Sequence, residues 1–250
     1  MTLLAYPVPN KQRSVDICNA FIKGAPASAQ GDVFFGVNHG NVAPYLRSKA
    51  LGRDWYYIDN AYFDAVRNIY FRVTKCALQR RGDEPSTGER FAALKIPVKP
   101  WKSDDELGDQ LLLCEQNENF MHCAAGYRGN WAKDTLRALA DMDLPYTAKV
   151  RSWNPDKHVV YRNLLDEFRL GTIRAIVTHS SGSAITALLE GVPAISQAGA
   201  ARLYTGPLTR ENISNLPRPD NRLALFNSLA DGQFTLDEMR GGYAWKVLNP

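Results

Sequence analysis

The sequence lacks the features that mark a protein as secreted, zinc-binding or membrane-spanning. Its four cysteines form no Cys-x-x-Cys pair, and none has the spacing to histidine that a zinc site requires. No basic segment precedes an apolar one at the N-terminus, and no apolar run approaches the roughly 20 residues that cross a bilayer. These absences predict reduced cysteines and a soluble, unexported protein of the cytoplasm.

A strong charge excess, internal repeats and low-complexity tracts are missing too. Thirty basic and 26 acidic residues leave a net charge of +4, which permits a polyanionic partner without demanding one. Two clusters of basic residues, most simply solvated faces, are Lys75 with Arg80 and Arg81, and Lys95 with Lys99 and Lys102. With 45% hydrophobic residues, the 250 positions can bury one large core or two modest ones.

What the sequence does contain is an alternation of short apolar runs with helical patterns. We predict strands over 32–37, 55–58, 70–74, 111–115, 147–150, 173–178 and 192–196, and helices over 42–51, 131–142, 159–170 and 183–189. This alternation is typical of βαβ units and of a mostly parallel sheet covered on both faces, hence an α/β protein. Prolines and charges over 97–108 interrupt the pattern, so we predict one domain over 1–105 and a second over 106–234.

The strongest chemical signal lies where the predicted strand 173–178 meets the predicted helix 183–189. His179, Ser180, Ser181 and Gly182 stand between them, and small residues there allow the backbone to approach a ligand closely. The first amides of the helix are expected to be bare, without intrahelical partners, and together with the serine hydroxyls they suit a phosphate or diphosphate. Ligand sites of open α/β sheets lie beyond strand carboxyl ends. The alternative is an ordinary turn whose serines only cap the helix.

The run THSSGSAITALLEGVPAI, residues 178–195, resembles the donor-binding segment of GT-B glycosyltransferases and of the related nucleotide-sugar 2-epimerases. In those families a strand, a Ser/Gly loop, a helix ending in Glu-Gly and a Val-Pro strand start recur in the C-terminal domain. VRSWNP, residues 150–155, stands where many bacterial members carry Arg-x-His-Pro. Trp153 and Asn154 replace the histidine here, so its role is not carried over. The resemblance covers about 111–197.

This resemblance implies a GT-B-like fold, with two Rossmann-like halves facing each other across a cleft. It also implies a C-terminal helix over 235–250 that crosses back to the first half. Thr235 and Glu238 have the spacing of a capping box that begins such a helix, which we expect to run towards Trp245.

The same resemblance implies the roles of the residues on the donor side. The loop from Ser180 through Ser181 and Gly182 to Ser183 would contact the donor diphosphate, with His179 beside the phosphates. Glu190 would hold a ribose or sugar hydroxyl, and Arg151 or Arg202 would stabilise the departing diphosphate. The alternatives are a solvated Glu190 at a helix end and a purely structural His179.

The first half supplies the predicted acceptor side. Asn38, His39, Gly40 and Asn41 follow the strand 32–37, at the position of the acceptor loop in GT-B folds. His39 is the first candidate for the general base, because imidazole titrates near neutrality. The second is Asp59, at another strand end, with Asn60 beside it on the acceptor side. Asp59 and Asn60 could instead form a simple turn.

The predicted reaction is displacement of a nucleoside diphosphate from an anomeric carbon by an acceptor hydroxyl. The donor is a nucleotide-sugar, with UDP favoured, and no tightly bound cofactor is expected. A convincing Asp-x-Asp motif is missing, so we expect the reaction to need no metal.

The chain also resembles small phage-encoded enzymes that modify DNA bases. That resemblance favours a hydroxymethylated pyrimidine in double-stranded DNA as the acceptor, in the host cytoplasm, with a cell-surface glycan as the alternative. Trp55, Tyr56 and Tyr57, with Arg80 and Arg81, are candidates for flipping the base, and the alternative for the three aromatics is a place in the core.

Three other classes share parts of this pattern. A nucleotide-sugar epimerase has the donor site but needs no acceptor. A DNA-base hypermodification enzyme displaces pyrophosphate from a modified base and ignores nucleotide-sugars. A non-catalytic nucleotide- or DNA-binding module uses neither candidate base. Nothing in the sequence indicates an oligomeric state.

Overall fold

The computed structural model describes residues 2–37, 40–63, 67–151 and 164–250 as an α/β protein with two sheets. The strands are β1 Leu3–Tyr6, β2 Gly31–Phe35, β3 Trp55–Asn60, β4 Tyr70–Lys75, β5 Gln110–Cys114, β6 Thr147–Arg151, β7 Ile173–Thr178, β8 Ala194–Ser196 and β9 Gln233–Thr235. The helices are α1 Gln12–Gly24, α2 Val42–Ala50, α3 Glu89–Leu94, α4 Glu118–Ala125, α5 Trp131–Ala140, α6 Ser183–Leu189, α7 Arg210–Ser214, α8 Arg222–Asp231, α9 Leu236–Arg240 and α10 Tyr243–Leu248. Residues 164–169 are helical as well.

The chain divides into two compact units. The first unit comprises Met1–Arg80, Glu118–Arg128 and Gly232–Pro250, and the second comprises Arg81–Asn117 and Gly129–Asp231. The interruption over 97–108, used above to place a boundary at 105, therefore lies inside the second unit. The C-terminal residues belong to the first unit.

The sheet of the first unit is mixed, with strand order β1-β2-β3-β4-β9. The strands β1, β2 and β3 are parallel, and β4 is antiparallel to both β3 and β9. In helix α1, Ile17, Cys18 and Phe21 lie on one face of the helix and pack in the same core cluster as the sheet residues. Gly24 ends α1 against α9, where an added Cβ would lie 1.9 Å from the Met239 carbonyl oxygen.

The sheet of the second unit is wholly parallel, with strand order β6-β5-β7-β8. Its central strands are continuous apolar runs because both faces are covered: residues 111–113 and 175–177 are fully or almost fully buried. From β5 the chain first adds β6 on one side, and then crosses to add β7 on the other. The carboxyl ends of β5 and β7 therefore flank the topological switch point, the place at which open α/β sheets usually bind their ligands.

The α/β class and all seven predicted strands are confirmed, and the predicted helices 42–51, 131–142 and 183–189 correspond to α2, α5 and α6. Part of the predicted helix 159–170 lies outside the described residues. The sequence interpretation missed the strands β1 and β9 and the helices α1, α3, α4, α7 and α8. One predicted C-terminal helix is two, α9 and α10, because Gly242 adopts a left-handed φ of 81° between them. Across the described ranges, no helix has both the length and the apolarity to cross a membrane.

Candidate functional site

The switch point of the second unit brings together two polar loops. We call residues 179–182, after β7, the serine loop; the other loop follows β5 and begins with Glu115 and Gln116. The hydroxyl of Ser180 donates to Oε1 of Gln116 over 2.7 Å, and Nε2 of Gln116 donates to the Ser180 carbonyl over 3.4 Å. Two side-chain contacts thus hold the loops together. Gln116 was not predicted as a site residue, because nothing in its local sequence shows which loop lies opposite.

In the serine loop and at the first residue of α6, side chains satisfy two of the amides that were expected to be bare. The Thr178 hydroxyl accepts from the Ser181 amide at 3.1 Å, and the Ser181 hydroxyl accepts from the Ser183 amide at 3.2 Å. The prediction of bare amides is wrong for these two residues, since hydroxyls two or three positions away reach them first. The amide of Gly182 donates to none of the described residues, and an added Cβ at Gly182 would meet open space.

A chain of hydroxyls continues from this loop into the sheet. Ser181 donates to the Ser183 hydroxyl at 3.1 Å, which in turn hydrogen-bonds the thiol of Cys114 at the end of β5. Burial raises the pKa of Cys114 to about 11, although the Ser183 hydrogen bond and the charge of Arg151 act in the opposite direction. Cys114 is therefore a neutral thiol near pH 7 and a poor nucleophile.

His179 lies half-buried at the start of the serine loop. Its Nδ1 is 3.0 Å from the Ser180 hydroxyl, and burial lowers its pKa below the usual 6.5, so the ring is neutral near pH 7. Its backbone carbonyl accepts from the Ala198 amide at 2.7 Å. These contacts fix the ring and the backbone of His179 in one position.

The remaining donor-side residues lie at different places in the second unit. Arg151 ends β6, in register with Cys114, so its charge reaches the switch point. Glu190 follows the last residue of α6, about 12 Å from Gly182 at the 1.5 Å rise of a helix. There it forms an ion pair with Lys99. The structure does not bring Glu190 to the serine loop, and an ion pair at a helix end accounts for it.

In the first unit, Asn38 and His39 lie outside the described residues, so the first candidate base is not placed. Asn41 is buried, and its amide donates to the carbonyls of Gly36 at 2.7 Å and Phe35 at 3.2 Å. Asn41 therefore closes the turn after β2, and its donors are used by the backbone. Gly40 precedes it at an exposed position.

Asp59 is held in a network of donors. Its Oδ2 accepts from Arg72 at 2.7 Å and from the Tyr57 hydroxyl at 3.0 Å, and its Oδ1 accepts from the Asn60 amide at 2.7 Å and Nδ2 at 3.0 Å. Arg72 is itself buried and lies 5.0 Å from the centre of the Tyr62 ring. Because both oxygens are fully engaged, Asp59 is an ion-pair partner rather than a carboxylate available to take a proton.

The aromatic candidates for flipping a DNA base, and two members of the basic cluster Lys75, Arg80 and Arg81, have other contacts. Trp55, Tyr56 and Tyr57 are at most 5% exposed and form part of the core. Lys75 pairs with Asp54 at 3.0 Å, and Arg81 pairs with Asp83 at 2.7 Å. Three consecutive aromatics in β3 are accounted for by strand propensity and burial, so they supply no wedge for DNA.

A groove of about 510 Å³ lies elsewhere, on the first unit at the amino ends of β1 and β2. Asp32, Arg53 and Asp54 are among its lining residues. Open α/β sheets bind ligands at the opposite, carboxyl ends of their strands, so this groove does not displace the switch point as the candidate site. In the ranges that the structure describes, no three His, Cys, Asp or Glu side chains group as metal ligands.

No family model matches this chain, and no curated protein sequence matches it either. The candidate site thus stands on the geometry of the switch point and on the sequence pattern of residues 178–195.

Proposed function

We propose that the second unit binds a nucleoside-diphosphate sugar at the switch point between β5 and β7, and that the protein transfers the sugar to an acceptor hydroxyl. One observation carries the proposal: two polar loops, joined by Gln116 and Ser180, meet at the switch point of the sheet, where parallel α/β sheets bind their ligands. We also propose that the protein has a GT-B-like fold, in which the first unit binds the acceptor.

The second unit offers three kinds of group to a diphosphate. Gly182 contributes an amide that donates to none of the described residues, Arg151 contributes a positive charge, and Ser181 and Ser183 contribute hydroxyls. The helix α6 has only seven residues, so we assign the anion to these groups rather than to a helix dipole.

The internal bonds of the serine loop do not prevent such binding. The hydroxyl of Ser181 donates to another neutral hydroxyl, a contact that contributes about 1 kcal/mol. A hydrogen bond to a charged phosphate oxygen is about twice as strong. An arriving diphosphate therefore replaces the Ser181–Ser183 bond at a net gain, and the loop holds the hydroxyls in place until it arrives.

The acceptor in this proposal is an alcohol, and a hydroxymethylated pyrimidine in duplex DNA is the first to test. Its support is the resemblance of the chain to phage enzymes that modify DNA bases, and the net charge of +4 permits such a polyanionic partner. Residues 55–57 contribute nothing to it, because they are core.

The donor site is tested by thermal unfolding with UDP, GDP and ADP and with their glucose conjugates. We expect one nucleotide to stabilise the protein, by about 2.7 kcal/mol at a hundred times its Kd. Ser181→Asp should abolish that gain, because its carboxylate repels the diphosphate while still accepting from the Ser183 amide.

Two controls isolate the effect of charge at the site. Ser181→Asn keeps the turn without adding charge, and should bind nearly as well as wild type. Thr209→Asp adds the same charge at another helix cap, where Thr209 accepts from the Asn212 amide at 3.2 Å, and should leave binding unchanged. Failure of all six compounds to stabilise the wild-type protein would contradict the proposed function.

The acceptor is tested by incubating the donor so identified with plain and hydroxymethylated duplexes. Transfer of labelled sugar to the hydroxymethylated duplex alone is the expected result. Appearance of an isomeric nucleotide-sugar without any acceptor identifies an epimerase instead. Release of pyrophosphate from a diphosphorylated base in DNA, with no nucleotide-sugar bound, identifies a base hypermodification enzyme.

A further inference from the structure

We propose that His179 is the general base of the switch-point site, because Ser180 and Gln116 hold its Nδ1 protonated and leave Nε2 free to accept a proton. The inference rests on the proposed function for its substrate, a sugar donor and an acceptor hydroxyl. The tautomer on which it depends follows from hydrogen bonds within the protein.

The orientation of the Gln116 amide comes first. Its Nε2 lies 3.4 Å from the Ser180 carbonyl, and its Oε1 lies 2.7 Å from the Ser180 hydroxyl. The opposite orientation would place an amide oxygen against that carbonyl, with two acceptors facing each other. The amide oxygen of Gln116 therefore accepts, and the single hydroxyl proton of Ser180 goes to it.

The tautomer of His179 follows. The Ser180 hydroxyl donates its single proton to Oε1 of Gln116. Towards His179 Nδ1, 3.0 Å away, it can therefore only act as an acceptor. Nδ1 must then carry the N–H. A neutral imidazole has one N–H, which leaves Nε2 with a lone pair. Burial keeps the ring neutral near pH 7, because it lowers the pKa of His179 below 6.5.

The surroundings of His179 leave Nε2 available. Nε2 contacts no hydrogen-bond partner in the described ranges, and it is not sealed from solvent. The charged residues at the neighbouring strand ends are Glu115 after β5 and Arg151 at the end of β6. Neither causes the lowered pKa of His179, which burial alone produces.

An unprotonated nitrogen repels a phosphate oxygen, so His179 is unsuited to the phosphate contact predicted from the sequence. It suits an O–H group instead. In the transfer step, the acceptor O–H proton moves to Nε2 as the acceptor oxygen bonds to the anomeric carbon. The bond from that carbon to the diphosphate breaks, and its electron pair leaves with the diphosphate. His179 fills the role that the engaged carboxylate of Asp59 cannot.

The tautomer is tested by nitrogen-15 NMR of the full chain labelled at histidine, with His179→Asn to assign the signal. We expect a pyridine-type Nε2 and a pyrrole-type Nδ1 for His179 near pH 7. In Ser180→Ala, which removes the acceptor of the Nδ1 proton, the two tautomers should mix. A pyrrole-type Nε2 in the wild-type protein, or a tautomer unchanged by Ser180→Ala, would overturn the inference.

The base is tested with UDP-glucose and the same asparagine variant, whose amide still reaches Ser180 but offers nothing at Nε2. We expect His179→Asn to lower kcat by about 10²–10⁴-fold and to leave the affinity for UDP unchanged. The wild-type kcat should fall with pH as His179 becomes protonated. Loss of UDP affinity without loss of kcat would make His179 a donor contact and refute the base. Absence of nucleotide binding contradicts the proposed function instead, and the NMR result still decides the tautomer.

Discussion

The Ser180 hydroxyl and the Gln116 side chain form a 2.7 Å hydrogen bond that links the loops after β7 and β5. Ser180 is 5% exposed, so its hydroxyl has little water to replace a lost partner. The same contact decides which nitrogen of His179 carries a proton. One glutamine thus connects the stability of the second unit to the chemistry of its candidate site.

Replacing this glutamine should therefore cost stability. We expect Gln116→Ala to lower the free energy of unfolding by about 1–3 kcal/mol, because it removes a 2.7 Å hydrogen bond of a buried hydroxyl. Urea unfolding measures the change. Gln12→Ala is the matched control, since Gln12 makes an exposed 2.9 Å bond to Asp16 and should cost less than about 0.5 kcal/mol. If the two variants lowered the free energy of unfolding equally, the Gln116–Ser180 contact would contribute no more to stability than an exposed hydrogen bond.

The stability of the protein should also depend on pH through His179. Burial lowers its pKa in the folded state below the 6.5 of an exposed histidine. Between the two values the unfolded chain binds more protons than the folded chain, so the free energy of unfolding rises with pH across that window and levels off above it.

The comparison is between the wild-type protein and His179→Asn, unfolded in urea from about pH 5 to pH 8. We expect the wild type to lose stability relative to the variant as the pH falls through 6.5. Parallel curves across this range would mean that His179 has the same pKa in both states.

How far the sequence could anticipate this structure depends on the range of the contacts involved. The strand 173–178 and the helix 183–189 were predicted to the residue, because apolar runs and small loop residues report local conformation. Thr235 and Glu238 form the predicted capping box, again a contact within one turn. The amphipathic α1 was within reach of the same methods, since Ile17, Cys18 and Phe21 share one face.

The candidate site was predicted only in part because its decisive contacts are long-range. Gln116 and Ser180 are 64 positions apart, and only the strand order brings their loops together. The sequence offers Asp59 as a candidate base or a turn residue but does not show its partner Arg72, because Arg72 is 13 positions away and becomes its neighbour only through antiparallel pairing of β3 and β4. Local patterns identify a loop, but strand order decides what faces it.

Asp59 should behave as a structural residue. Removing the Asp59 carboxylate leaves the buried charge of Arg72 uncompensated, so Asp59→Asn should lower the free energy of unfolding by about 3 kcal/mol. Asp166→Asn breaks the exposed 3.2 Å pair with Arg169 and should cost less than about 1 kcal/mol. Chemical unfolding gives both values. A stable Asp59→Asn protein without transferase activity would restore Asp59 as the catalytic base.

The four cysteines should differ in reactivity, and the difference reports on the candidate site. Burial raises the pKa of Cys18 to about 12 and those of Cys114 and Cys123 to about 11, whereas Cys76 is exposed. Because the thiolate is the reactive form, iodoacetamide at about pH 7.5 should alkylate the folded protein once, at Cys76. Mass spectrometry counts the adducts, and urea should raise the number to four.

Cys76→Ser is the control for this experiment, and it should leave the folded protein unmodified. Alkylation of Cys114 in the folded variant would mean that its thiol ionises and that reagents reach the end of β5. The hydroxyl chain from Ser181 through Ser183 would then activate a nucleophile instead of ending at an inert thiol. The Cys114 thiol would in that case be the nucleophile at the switch point, and His179 would accept the proton of that thiol rather than the proton of an acceptor hydroxyl.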